Sequence, residues 1–135
     1  MLITSFTKSH QITKHFKVGE MSCKCGCNQI PSDIWVNIVK LCERLEEFRI
    51  FIGNKPITII SQYRCFKRNK IVGGAPKSQH LYGRAVDIVV DGMTPKEVYD
   101  AAIKFGFRGV GVYDTFCHVD IRKSLFKAKW DKRKK

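Results

Sequence analysis

The stretch Ser78–Ile88, SQHLYGRAVDI, sets a histidine and a glycine just ahead of an apolar run and an aspartate inside it. Its second half predicts a strand. Side chains alternate across a strand, so Asp87 shares one face with Ala85 and Val89, while Val86 and Ile88 take the other. Gly83 permits a turn that folds His80 back over the strand it introduces. Ala85 keeps the near face small. A second piece, Phe116–Ile121 (FCHVDI), places His118 and Asp120 on one face and Val119 and Ile121 on the other. If the two strands are neighbours, Asp87 and His118 converge with His80 on one point. Two imidazoles and one carboxylate are a normal ligand set for catalytic zinc, with a fourth position left for water. The single negative charge leaves the ion cationic, which acidifies that water from a pKa of about 15.7 to about 7, the chemistry of amide hydrolysis. Taken singly, each residue reads as an ordinary hydrogen-bonding polar group. Taken together, they read as a metal site.

The rest of the chain frames these pieces. A polar amino-terminal arm (1–15) leads to SDIWVNIVKLCERLEEFRIFIG, a long helix that Ser32 can cap and Gly53 ends. Its apolar residues Ile34, Ile38, Leu41, Leu45, Phe48 and Ile52 step by three and four along one face. PITIISQYR predicts a buried strand. The irregular CFKRNKIVGGAPKSQHLYG follows, and a long loop inside a compact domain is usually functional. TPKEVYDAAIKFG predicts a helix with Pro95 at its first position and a capping box from Thr94 and Glu97. Its apolar face is Val98, Ala101, Ala102 and Phe105. GVGVY and CHVDI predict a hairpin through Asp114 and Thr115. The expected class is α+β, two helices packed on a mostly antiparallel sheet. One domain, residues 1–122, is followed by a basic tail, 123–135.

Composition narrows the partners. The chain has 135 residues, 44% hydrophobic, and can bury a core without disulfides. No apolar run approaches the roughly 20 residues of a bilayer span, and the amino terminus has no signal-peptide core. Synthesis in a cytoplasm without a cleaved signal is expected. The net charge of +13 attracts polyanions such as nucleic acid, anionic lipid or wall polymers. Arg122 to Lys135 alone holds eight basic residues against one acid, Asp131. No helix-turn-helix, zinc-finger or RNA-recognition pattern accompanies the charge, so no specific nucleic-acid partner is expected. Of six cysteines, Cys23, Cys25 and Cys27 form CKCGC, while Cys42, Cys65 and Cys117 are scattered among apolar neighbours. Cys-x-Cys-x-Cys departs from zinc-finger spacing, so packing or redox-sensitive thiols fit it better than a second, structural metal.

Ser-x-His-x-x-Gly-x-Ala-x-Asp (Ser78, His80, Gly83, Ala85, Asp87), followed by His-Val-Asp at His118–Asp120, resembles the zinc D-alanyl-D-alanine carboxypeptidase family. SQYRCFKRNKIVGGAPKSQHLYGRAVDI and the earlier FKVGEMSCKCGC extend the resemblance from about Phe16 to Ile121. It implies a hedgehog-like α+β fold and hydrolysis of peptide bonds in bacterial peptidoglycan. It also implies one Zn(2+) per chain, held by His80, Asp87 and His118. Arg64 would bind the substrate carboxylate or the developing oxyanion, tasks that suit a planar, permanently charged fork. Ser78 would bind substrate or a ligand, and Asn69 would hold the loop. Many members carry a glutamate or histidine two or three positions before the last zinc ligand, where this chain has Phe116 and Thr115. Asp120 is the nearest replacement, either as general base or as the partner that orients a ligand imidazole. Asp114 is a third option. Gln62 stands where the family commonly has glycine, which bears on the substrate pocket and not on the metal. Three settings compete. A monomeric peptidase could act on stem peptides or cross-bridges once the membrane is permeabilised, as a phage or prophage endolysin does, its tail held on anionic wall polymers or lipid. The others are a cytosolic D-Ala-D-Ala dipeptidase and a non-catalytic zinc-binding adhesion or nucleic-acid module. The charge favours the first.

Overall fold

The computed structural model describes residues 2–3, 10–23 and 30–134. Cys25 and Cys27 lie outside the described residues. The strands are β1 (Leu2–Ile3), β2 (Gln11–Thr13), β3 (Phe16–Lys17), β4 (Ile30–Pro31), β5 (Ile57–Ser61), β6 (Ala85–Val90), β7 (Gly109–Val112), β8 (Cys117–Asp120) and β9 (Ala128–Asp131). The helices are α1 (Val18–Met21), α2 (Ser32–Phe51), α3 (Phe66–Ile71) and α4 (Pro95–Phe105), with one 3-10 turn at Gln79–Tyr82. A five-stranded sheet, ordered β5-β6-β8-β7-β9, forms the platform. Its first four strands run antiparallel, and β9 joins β7 in parallel. The expected α+β class, with the two long helices against a mostly antiparallel sheet, is what the chain adopts.

Alternation separates the two faces of this sheet. Val86, Ile88 and Val90 of β6, Val110 of β7, and Cys117 and Val119 of β8 enter the core, where they meet Ile38, Leu41, Leu45 and Phe48 of α2 and Val98 and Ala102 of α4. Each such side chain, fully buried, contributes roughly 1.5–3 kcal/mol. Phe48 stands edge-on to Phe105 and Phe107, with centroids 5.3 Å away in both cases, which fastens α2 to the end of α4. The capping box on α4 is present: Thr94 Oγ1 accepts from Glu97 N–H, and Glu97 Oε1 accepts from Thr94 N–H.

Two boundaries differ from the sequence reading. Ser32 is the first helical residue of α2, and the N-cap is Pro31, with no side-chain cap bond. Pro31 is held extended because it pairs with Leu2 in the β1–β4 ladder, so the helix starts where that pairing ends. The stretch read as a basic tail contains β9, whose residues Ala128–Asp131 pair with Gly109–Val112. The amino-terminal arm is tied to α2. His15 donates its backbone N–H to Glu46 Oε2 of α2 and sets its ring nitrogen 2.6 Å from Oε1.

Candidate metal centre

Register builds the centre. Across the free face of the sheet, one row reads Asp87–His118–Gly111–Trp130 and the next Ala85–Asp120–Gly109–Ala128. Asp87 and His118 are therefore direct cross-strand partners. His80 arrives from the 3-10 turn above β6. Ser78 Oγ caps that turn by accepting His80 N–H. Gly83 ends it at φ +68, and a Cβ there would meet Ile34 Cγ2 at 2.8 Å and Ile38 Cγ1 at 2.9 Å. The Ser-x-His-x-x-Gly spacing thus encodes one capped turn pressed against α2. A register irregularity between Ile59 and Ser61 in β5 then re-aims the strand end that carries Gln62 and Arg64.

Hydrogen bonds settle which nitrogen of each imidazole faces inward. His80 Nδ1 lies 2.8 Å from the Gln62 carbonyl, which can only accept, so Nδ1 carries a proton, and in the neutral imidazole that a metal needs Nε2 keeps the lone pair. That lone pair lies 3.3 Å from Asp87 Oδ1. His118 Nε2 donates to Asp120 Oδ2 at 2.7 Å, which turns Nδ1 toward the same Asp87 Oδ1, at 3.2 Å. Three potential ligand atoms thus converge within 4.8 Å of one another, on side chains no more than 12% exposed. Two imidazole nitrogens and a carboxylate oxygen at these distances can share a proton or close around a cation. Ligand atoms on a tetrahedral zinc ion, bonded at about 2.0–2.1 Å, stand roughly 3.3 Å apart. The donor set and its spacing fit zinc.

Burial alone would raise the Asp87 pKa, but the hydrogen bonds from His118 and His80 hold it well below the usual carboxylate range. Burial would lower His118, and its bonds to Asp120 and Asp87 raise it instead. Asp120, fully buried, falls to about 2 because bonds from His118 and Arg122 overcome the desolvation that would raise it. Both of its oxygens are engaged: Oδ2 also accepts from Arg122 Nη2 at 2.6 Å, and Oδ1 from Arg122 N–H and Nε–H.

A cavity of about 720 Å³ opens over the centre, with Arg64 and Ser78 on its rim. Arg64 donates from Nη1 to Asn69 Oδ1 at 3.2 Å, and Asn69 Nδ2 donates to Ala75 O at 3.0 Å, so Asn69 does hold the loop. Gly74 makes this possible: a Cβ there would lie 2.6 Å from Arg64 Nη1 and closer still to Asn69. Gln62 keeps its side chain off the cavity, donating from Nε2 to Ser22 O at 2.7 Å. Asp114 stands in the exposed hairpin turn and accepts Lys134 N–H.

Sequence reasoning missed the far wall. Trp130 of β9 lines the cavity, its ring centroid 5.0 Å from that of His118. The indole Nε1–H donates to Tyr113 Oη at 3.0 Å, and Arg122 lies over the indole. The signal was GVGV. Valines at 110 and 112 face the core, and the free face is emptied at Gly109 for Asp120 and at Gly111 for the Trp130 ring, which a Cβ would approach to 2.2–2.3 Å.

The peptidase M15 family model matches residues 14–121. Among curated relatives, the zinc D-Ala-D-Ala carboxypeptidase of Streptomyces albus G is 42% identical over 45 residues, 33% of this chain and 18% of the relative. The peptidoglycan L,D-endopeptidase MepK of Escherichia coli (strain K12) is 34% identical over 88 residues, 59% of this chain and 48% of the relative. The chain thus spans half or less of the length of each. With the motif-bearing turn, the paired strands and nearly the whole domain inside the matched region, the chain belongs to the peptidase M15 family.

Proposed function

We propose that this chain is a zinc-dependent peptidase that hydrolyses peptide bonds of bacterial peptidoglycan, with one ion held by His80, Asp87 and His118. The observation that carries the reading is the convergence of three potential ligand atoms on one point at the floor of an open cavity. A bound zinc ion would supply Lewis acidity and a nucleophile at neutral pH. The chain's own residues do the rest. Gln62 O and Asp120 fix the two imidazole tautomers, so both present lone pairs inward. Arg64, steadied by Asn69, offers a guanidinium to the substrate carboxylate or the developing oxyanion. Ser78 positions His80 through the turn and leaves its rim available to substrate.

Peptidoglycan as substrate is supported by the name of one relative, a peptidoglycan L,D-endopeptidase, and by the +13 charge, which favours a polyanionic wall; the other relative is named for D-Ala-D-Ala. A phage or prophage endolysin, reaching the wall through a permeabilised membrane, is the setting that uses that charge. The test is a digest of purified peptidoglycan by zinc-loaded protein, with and without chelator, read by mass spectrometry. New chelator-sensitive peptide ends, lost in His118→Ala, are expected, and their masses name the bond. An intact wall under fully zinc-loaded protein would reject the reading and direct the search to D-Ala-D-Ala dipeptide.

A further inference from the structure

A second meeting of metal-ligating atoms lies outside the His80–Asp87–His118 centre. Cys23 follows α1, and Cys65 caps α3 directly after Arg64, 42 residues further along the chain. Their Sγ atoms stand 3.6 Å apart, and Cys65 N–H donates to Cys23 Sγ at 3.3 Å. An S–S bond would need about 2.05 Å. Two thiolates on one tetrahedral ion, bonded at about 2.3 Å, stand roughly 3.8 Å apart. The Cys65 peptide N–H aimed at Cys23 Sγ is the kind of donor that supports a metal-bound sulfur. The other described thiols, Cys42 and Cys117, are fully buried, and burial pushes both up, Cys117 to about 12.

We propose that Cys23 and Cys65 are ligands of a second metal ion, a structural, thiophilic divalent cation of the zinc class. The spacing within CKCGC argued against a metal because it was judged as a local motif. The decisive partner comes from Cys65, across the fold. The ion would pin the segment after α1 to the end of β5, where Gln62 Nε2 already donates to Ser22 O, and so brace the backbone that presents Arg64. The proposal stands independently of the peptidase reading.

The experiment uses the full chain, purified under reducing conditions, stripped by chelator and titrated with Co²⁺. Two equivalents per chain are expected, together with thiolate-to-cobalt charge-transfer absorption, which the sulfur-free His80–Asp87–His118 centre cannot produce. Cys65→Ser should lose one equivalent and the charge-transfer band, while His118→Ala should lose one equivalent and keep the band. If Cys65→Ser does not fold, Cys65→His should keep the second ion with a weakened band, since imidazole also ligates zinc-class ions. A wild-type protein that takes up cobalt with no charge-transfer band overturns the proposal. So does a band that survives in both Cys23→Ser and Cys65→Ser. Failure of the peptidase centre reads differently: the band remains and only the sulfur-free equivalent is missing.

Discussion

Asp120→Asn separates two roles that the sequence leaves open. The carboxylate is fully buried and accepts four hydrogen bonds, one from His118 Nε2 and three from Arg122. Asparagine has one carbonyl oxygen where aspartate has two acceptors, so an N–H must face either the imidazole or the guanidinium. His118 then loses its reason to keep the proton on Nε2, and Nδ1 no longer presents a lone pair to the ion. Replacing an outer partner of this kind typically weakens metal binding 10–100-fold, about 1.4–2.7 kcal/mol. Stability of the metal-free protein should also fall. The drop of the Asp120 pKa from 3.8 to about 2 corresponds to roughly 2 kcal/mol of folding free energy. A depressed carboxylate contributes fully above the unfolded value and loses its contribution as pH falls through the folded one. The wild type should therefore exceed the variant by about 2 kcal/mol at neutral pH, and the gap should close between about pH 4 and pH 2. The assays are chelator-competition zinc binding, urea unfolding across that range, and turnover at rising zinc. Recovery of turnover to within a few-fold at saturating zinc is expected. Unchanged zinc affinity with turnover lowered about 10²–10⁴-fold would refute the argument, because that is the signature of a general base.

Gly83→Ala should destabilise the chain by about 1–3 kcal/mol in urea unfolding, since φ of +68 and the Ile34 and Ile38 side chains both exclude a Cβ. A loss under 0.5 kcal/mol would show that α2 yields at that contact. Gly111→Ala should displace the Trp130 ring and cost about 1–3 kcal/mol as overpacking, seen as a changed indole emission in a Trp35→Phe background. Unaltered emission would place the ring elsewhere. Cutting after Lys123 should lower the thermal midpoint as well as sedimentation with cell walls, because it removes β9 from the edge of β7. A truncated chain with an unchanged midpoint would return this stretch to a solvated tail.

Legibility follows the range of the interactions. The facing of Asp87 toward His118, the buried stripe on α2 and the capping box on α4 were all readable, because period-two and period-3.6 patterns and four-residue caps are local. The start of α2 was misplaced because Pro31 answers to Leu2, a partner nearly thirty residues away in sequence. β9 escaped notice for a related reason: AKWD alternates over only four residues amid lysines, and its meaning depends on the empty faces of Gly109 and Gly111. The role of Asp120 stayed open because residue types do not tell which ring nitrogen faces which neighbour. Only the hydrogen bonds do.

Position 62 shows how such a centre can drift over evolutionary time. The bond that orients His80 comes from the main-chain carbonyl of Gln62, while the side chain turns away to Ser22. Recognition of the imidazole and the identity of the residue are therefore carried by separate atoms. A lineage can exchange the side chain here, adjusting how the segment after α1 is docked, while the imidazole keeps its proton on the same nitrogen. Every L-amino acid supplies that oxygen. At positions 87 and 118 no such freedom exists, since the atom proposed to ligate belongs to the side chain itself.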